Sequence, residues 1–343
     1  MMNKENDSAS RGLLSSRFVL VLAILIGFAA GFILRGHIRP GSGHEILEIR
    51  QGGWHYINPL LECEQAQTAR ENGKLENFAD KVNDFVIKKQ KDLGDTVSVY
   101  FRELNDGYHF AIGKDEFFYP ASLLKVPTMI SILKQAESNP RLLKTTVAFN
   151  DSKLLIRQNL DAKDTLILGK SYTVDDLVYR MVKYSDNISY YLLMAKVIDR
   201  PVLEQTFRDL GFPSPYVDIS DAQTRYVLSA EQYSSCFRVL YNATYLNKPM
   251  SEKALEYLSK SDFEFGLVAY LPANIVVAHK FGLWVYNEGR QLHDCGIVYY
   301  PNHPYLLCVM TASPVKRGDI FDPAIGEISR FIYQEVDRQH GIL

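Results

Sequence analysis

The sequence predicts an α+β domain, a sheet flanked by helices with a mainly helical second lobe, carried behind an N-terminal transmembrane anchor. Three observations predict it. Residues 18–34 are one apolar run. Strand signals fall in two groups, near 96–112 and 274–311. Between them, about 145–265, the chain reads as mainly helical, with helix-start and helix-stop residues. The chain therefore divides into a cytoplasmic tail (1–17), an anchor (18–34), a stalk (35–72) and one folded domain (73–343).

The anchor, "FVLVLAILIGFAAGFIL", has no charge over 17 residues, at the short end of what spans a bilayer. Lys4, Arg11 and Arg17 precede it and orient the rest of the chain outward, although Arg35 and Arg39 soften the asymmetry. A cleaved signal peptide is the alternative, with Gly27, Phe28 and Ala29 as a small-x-small site, but the apolar run continues past it. Gly27 and Gly31 form a GxxxG pair, which in an apolar segment is weak support for dimerisation. Gly41, Gly43, Gly52 and Gly53 then suit a stalk.

The folded elements follow. Leu75, Phe78, Val82, Phe85 and Val86 make one apolar stripe, predicting a helix over about 74–91. "TVSVYF" (96–101) reads as a strand, and "NDG" (105–107) turns it into "YHFAI" (108–112). A helix begins at 121–122 and stops before "SNP" (138–140). Thr173 with Asp176, and Ser229 with Gln232, have helix-start spacing, and Gly211 sits where a helix should end. Strands at 274–284, 293–300 and 305–311 close the sheet, and Asp322-Pro323 starts a last helix to about 339.

Composition is that of a globular protein, 47% apolar and 23% charged, and a net charge of −2 argues against a nucleic-acid partner. Cys63, Cys236, Cys295 and Cys308 lie on the exported side, where disulfides can form. No spacing suggests a metal, and no cofactor is expected. A four-residue loop at Pro301–Pro304 would set Cys295 and Cys308 diagonally, so free buried thiols are expected.

The chemistry gathers in "FFYPASLLKVPTMISILK" (117–134), where Ser122 and Ser131 each have a lysine three residues on, Lys125 and Lys134. Roughly one such pattern per chain arises by chance. Position separates them. Nine residues of helix amount to about 900°, so the two serines face opposite sides. Ser122 lies at the helix start, beside unpaired N–H groups and the positive end of the dipole, with Lys125 on its face. Alone it could be an N-cap. Ser131 lies mid-helix and suits a structural role. Two more stretches add weight: Ser185-Asp186-Asn187 at a helix junction, and Lys280-Phe281-Gly282 inside an apolar strand, where the glycine allows a close backbone approach.

"PASLLK", "SDN" and "KFG", in this order, resemble the three active-site elements of the class A β-lactamase and penicillin-binding serine hydrolases. The resemblance spans about 74–340. It implies a β-lactamase-like antiparallel sheet and an acyl-enzyme formed with β-lactams or peptidoglycan-like peptides. Ser122 would be the nucleophile and Lys125 its base. Ser185 would relay a proton to the leaving nitrogen, helped by Lys280, and Asn187 would bind the substrate's amide side chain. The amides of Ser122 and Leu283, the residue after Gly282, would form the oxyanion hole. The family usually has Thr or Ser where this chain has Phe281, and no ExxLN glutamate lies between Asn187 and Lys280; "PYVDISDAQTRYVLSAEQ" (215–232) offers Asp218 and Asp221 instead. Acylation with slow deacylation is thus expected, at the outer face of the plasma membrane. The alternatives are a β-lactamase with an unusual deacylating base, or a module that binds or senses wall peptide without turnover.

The anchor has a direct test. Membrane-bound protein should retain residues ahead of Phe18 and be digested only from outside; a mature N-terminus near residue 30 would make the segment a signal peptide instead.

Overall fold

The computed structural model describes residues 45–66, 72–157, 164–216, 226–286, 289–314 and 323–341. The apolar run at 18–34 lies outside them. Among the described residues no helix is long and apolar enough to cross a membrane. Residues 46–64 and 72–343 make one unit; the other, 1–45 and 65–71, lies almost wholly outside the described residues.

A two-stranded ribbon, β1 (Glu45–Arg50) and β2 (Leu60–Ala66), comes first. It lies in the stretch expected as a stalk. The turn between its strands docks on the folded unit: Ile57 is buried, and the carboxylate of Glu252 accepts the backbone N–H groups of His55, Tyr56 and Ile57 at 2.8–3.1 Å. Two of the glycines read as linker signals, Gly52 and Gly53, come just before this apolar plug.

The central sheet uses β3 (Thr96–Glu103), β4 (His109–Ile112), β7 (Val277–Tyr286), β8 (Gly289–Val298) and β9 (Tyr305–Pro314). Their order is β4-β3-β9-β8-β7, every pairing antiparallel. Helix α1 (Asn72–Leu93) and the C-terminal helix α8 (Ala324–His340) cover one face, packing Phe78, Val82, Ile328 and Ile332 onto Val99, Phe101, Leu307 and Val309. The other face meets the helical lobe through Tyr100, Ala278, Ile297, Leu306 and Met310. Helices on both faces explain why β8 is buried along its whole length rather than alternating. Each apolar side chain enclosed this way stabilises the fold by about 1.5–3 kcal/mol.

Between β4 and β7 the lobe contains α2 (Lys125–Ser138), the short pair β5 (Thr146–Ala148) and β6 (Ser171–Thr173), then α3 (Val174–Lys183), α4 (Asn187–Lys196), α5 (Arg200–Asp209), α6 (Ala230–Tyr241) and α7 (Lys248–Leu258). Local signals set its helix ends. Thr173 accepts the N–H of Asp176, Ser229 and Gln232 close a capping box, and Gly211 takes φ 78° after α5.

Two expectations change. The strand expected at 293–300 runs from Gly289 to Val298, because Arg290 and Gln291 are polar in sequence yet buried in the sheet. Cys295 and Cys308, expected as free thiols, are joined by a disulfide. Residues 299–304 join β8 to β9, longer than the loop assumed, and the register sets the two cysteines directly opposite. Cys236 is a buried free thiol.

Non-reducing peptide mapping should therefore recover a 295–308 cross-link, with Cys236 alkylated only on unfolding. Replacing both bonded cysteines by alanine should lower the unfolding free energy by about 2–3 kcal/mol, the scale for a loop this short. Reagent labelling of Cys295 and Cys308 in the unreduced protein would contradict the pairing.

Candidate active site

The site is built on a strained turn. Residues 121–124 wind into a 3₁₀ turn that leads directly into α2. Ala121, just before Ser122, has φ 48°, and Ser185 across the site has φ 55°. Non-glycine residues there cost about 1–3 kcal/mol and persist only where their surroundings impose them. Here the constraint is visible on several sides. Phe118 and Leu228 exchange both backbone hydrogen bonds, and the Tyr233 hydroxyl donates to the Leu123 carbonyl at 2.9 Å. Gly282 of β7 lies so close that a Cβ there would meet the Pro120 carbonyl oxygen at 2.6 Å. The close approach expected of this glycine is thus made by the chain's own Ser122 turn.

Lys125 stands at the centre, 3% exposed. Its Nζ lies 3.2 Å from Ser122 Oγ, 3.1 Å from Ser185 Oγ, 2.5 Å from the Ser185 carbonyl oxygen and 2.6 Å from Asn187 Oδ1. Burial pushes its pKa down to about 7, against the opposing pull of the Asp186 charge. Asp186 is buried too, and caps α4 by accepting the N–H groups of Ile188 and Ser189 at 3.1 and 3.0 Å and the Ser189 hydroxyl. One carboxylate therefore orders the helix that carries Asn187 and offsets part of the charge on Lys125. A neutral Lys125 has a lone pair to take the Ser122 proton, and near neutral pH a large fraction of it is neutral.

Alternation along β7 splits the third element between two faces. Lys280 and Gly282 face the helical lobe. Phe281 faces away and stacks on Phe263, ring centroids 4.0 Å apart, inside the layer under α8. The Leu283 side chain packs on that same layer, leaving its backbone beside the cleft. Lys280 is fully buried and donates to the Phe281 carbonyl oxygen at 2.9 Å, its Nζ 4.0 Å above the Phe281 ring, rather than to Ser185. Burial and the charge of Lys125 hold its pKa well below the usual lysine range, opposed by Asp294. The structure thus gathers Ser122, Lys125, Ser185 and Asn187 by hydrogen bonds, with Gly282 and Leu283 alongside, while the Lys280 ammonium group rests on Phe281 instead.

A cleft of about 260 Å³ opens over Ser122 and Lys125, walled by Asn187, Tyr190, Tyr191, Leu283 and Trp284. The abundance of tyrosine, 21 residues, is compatible with a groove lining, but composition alone does not say which residues form this wall. Tyr190 and Tyr191 follow Asn187 by three and four residues, the spacing of one helix face, and that spacing was the available signal. The second serine-lysine pair lies elsewhere: Ser131 is buried in the lobe, and Lys134 donates to Glu137 and to the Tyr245 carbonyl at 2.8 Å. Asp218 and Asp221 lie outside the described residues; Glu231, in the same stretch, is exposed on the first turn of α6. Among the described residues no cluster of His, Cys, Asp or Glu is arranged to hold a metal.

A sequence profile of the β-lactamase enzyme family matches residues 77–336. The chain is 23% identical over 282 residues to β-lactamase VEB-1 of Pseudomonas aeruginosa, covering 76% of this chain and 91% of that protein. Its fold matches the extended-spectrum β-lactamase TLA-3, with a TM-score of 0.67, 18% identity, and 75% and 98% of the two chains covered. It also matches a mutant of PBP-A solved as an acyl-enzyme complex with penicillin G, with a TM-score of 0.62, 20% identity, and 78% and 98% covered.

Ser122→Ala should abolish covalent labelling by a penam probe, and Lys125→Ala should be nearly as damaging, since the two act as one unit. Ser131→Ala should change stability at most; labelling lost there and kept in Ser122→Ala would reverse the assignment. The labelling rate should rise about tenfold per pH unit below pH 7 and level off above it, following deprotonation of Lys125. Stability carries the matching sign. Between about pH 7 and 10.5 the unfolded chain holds a proton that folded Lys125 lacks, so this residue weakens the fold as pH falls through that window and no further below it.

Proposed function

Because the chain belongs to the β-lactamase enzyme family, and so to the serine hydrolases, we propose that it is a membrane-anchored acyl-transfer enzyme acting outside the plasma membrane on β-lactams or peptidoglycan-like peptides, with slow deacylation. The observation that carries the acyl-transfer chemistry is the buried Lys125 Nζ within hydrogen-bond reach of Ser122 Oγ. Ser122 Oγ attacks the carbonyl carbon while its proton passes to Lys125. The oxygen of the tetrahedral intermediate gathers charge against the Ser122 amide, at the start of the helix, and the Leu283 amide of β7. The C–N bond then breaks, the nitrogen takes a proton by way of Ser185, and an ester on Ser122 remains. Asn187 holds the amide side chain of the substrate, while Lys280, bonded to the Phe281 carbonyl, has no direct contact with Ser185.

Breaking that ester needs a positioned water and a base. The family's ExxLN glutamate has no counterpart in this sequence, and base assistance is worth roughly 10²–10⁴-fold. The missing glutamate also favours a second reading, a module that is acylated and then senses or retains wall peptide without turnover. Anchoring rests on the apolar run at 18–34 and the cations before it.

Intact-mass measurement with a β-lactam, followed over time, tests this. One adduct per chain should form in a burst and persist through slow turnover. Steady hydrolysis without a burst would make the protein a β-lactamase with another base, and loss of that hydrolysis in Asp218→Asn or Asp221→Asn would identify it.

A further inference from the structure

Tyr119, three residues before the nucleophile, has both of its backbone groups held by side chains of one neighbouring strand. Its N–H donates to Gln291 Oε1 at 2.8 Å, and its carbonyl oxygen lies 3.0 Å from His293 Nε2. Gln291 and His293 are two residues apart on β8 and so share a face, the one that looks toward the Ser122 turn. Both are buried, His293 completely. The His293 ring meets Phe118 edge-on with centroids 5.4 Å apart, and Tyr119 sets its own ring 4.2 Å from Trp284 in the cleft wall.

We propose that Gln291 and His293 are positioning residues for Ser122: they clamp the Tyr119 backbone from β8 and so hold the left-handed Ala121 turn that brings Ser122 Oγ to Lys125. The proposal rests on the acyl-transfer reading of this site and adds two residues that touch neither substrate nor nucleophile. Its chemistry is specific. A carbonyl oxygen only accepts, so His293 must carry its proton on Nε2, leaving Nδ1 bare. Nδ1 is buried and makes no hydrogen bond of normal geometry, and the Tyr119 and Leu292 backbones, which favour a second proton, are outweighed by burial. Burial accordingly holds the ring's pKa down at about 4, and the ring stays a neutral donor throughout the neutral range. Gln291 supplies the complementary acceptor. An apolar side chain at either position fills the space but releases one end of the Tyr119 clamp. The turn, which would otherwise relax from φ 48° at Ala121, then spends less time with Ser122 facing Lys125.

The experiment uses the full chain and a penam acylating probe on wild type, His293→Leu, Gln291→Leu and the conservative His293→Gln, whose amide can still donate. Limiting acylation rate, non-covalent dissociation constant, melting temperature and amide exchange of the 117–124 peptide are measured on each. Both leucine variants should lose at least tenfold in limiting acylation rate, with the dissociation constant changed less than about twofold, and His293→Gln should recover most of the loss. The 117–124 amides should exchange at least tenfold faster in the leucine variants. Unchanged acylation rates in well-folded leucine variants would overturn the proposal. So would a loss that only follows the fraction unfolded, or one that His293→Gln fails to restore. If wild type takes no label, the acyl-transfer reading fails by itself; the amide-exchange arm then decides whether β8 holds the turn, and unchanged exchange would overturn that too.

Discussion

Burying the ammonium of Lys125 is the constraint around which the rest of the site is arranged. A lysine removed from water loses hydration worth several kcal/mol and either neutralises or finds oxygen partners. Lys125 does both. Ser122, Ser185 and Asn187 surround Nζ with oxygens, while Asp186 offsets charge from within the cap of α4. The amine that lies within reach of the Ser122 hydroxyl is also what draws α2, α4 and the Ser185 turn together. Removing its partners would leave a buried charge uncompensated, so site chemistry and lobe packing are one problem.

The sheet supplies the other half of the geometry. Covered by helices on both faces, it can send successive residues of β7 into two different environments. That is how phenylalanine is accommodated in the third element: its ring stacks on Phe263 on the far face, while Lys280 and Gly282 face the lobe. Gly282 lets the strand touch the Ser122 turn, and a side chain there would push the nucleophile away from the edge of the sheet. Buried polar pairs complete the far face. His279 Nδ1 lies 2.9 Å from the Asp294 carboxylate, which also accepts the Leu267 N–H at 2.8 Å, an arrangement that ties β7, β8 and the segment before β7 to one another.

Much of this was legible in the sequence, and the gaps share a cause. Helix ends carried by Thr173, Ser229 and Gly211 are local signals and were readable. The two serine-lysine pairs separated on their place in the helix, and the structure gives them different partners, Lys125 reaching Ser122 and Lys134 reaching the Tyr245 carbonyl. What escaped depended on contacts far along the chain. Gln291 and His293 look like solvent-facing polar residues until their partner, the Tyr119 backbone, is known. The Cys295–Cys308 bond required the register of β8 on β9, which shifts by a residue with each residue of loop. The plug at Ile57 was hidden behind Gly52 and Gly53, and its acceptor, Glu252, is a surface-type residue on a distant helix.

The sequence separations across the Ser122 turn also bear on when the protein becomes reactive. Tyr119 is held by residues 172 and 174 positions later, Leu123 by one 110 later, and Lys125 by one 60 later. Non-local contacts of this kind close late, after the loop entropy between them has been overcome. A chain emerging from the ribosome has already exposed Ser122 and Lys125, while β8 is still to come. Until that strand arrives the serine is an ordinary alcohol beside an ordinary, protonated lysine. If Ser122 is the nucleophile proposed above, it becomes reactive only when the sheet is complete, and a partly synthesised chain does not yet hold the site together.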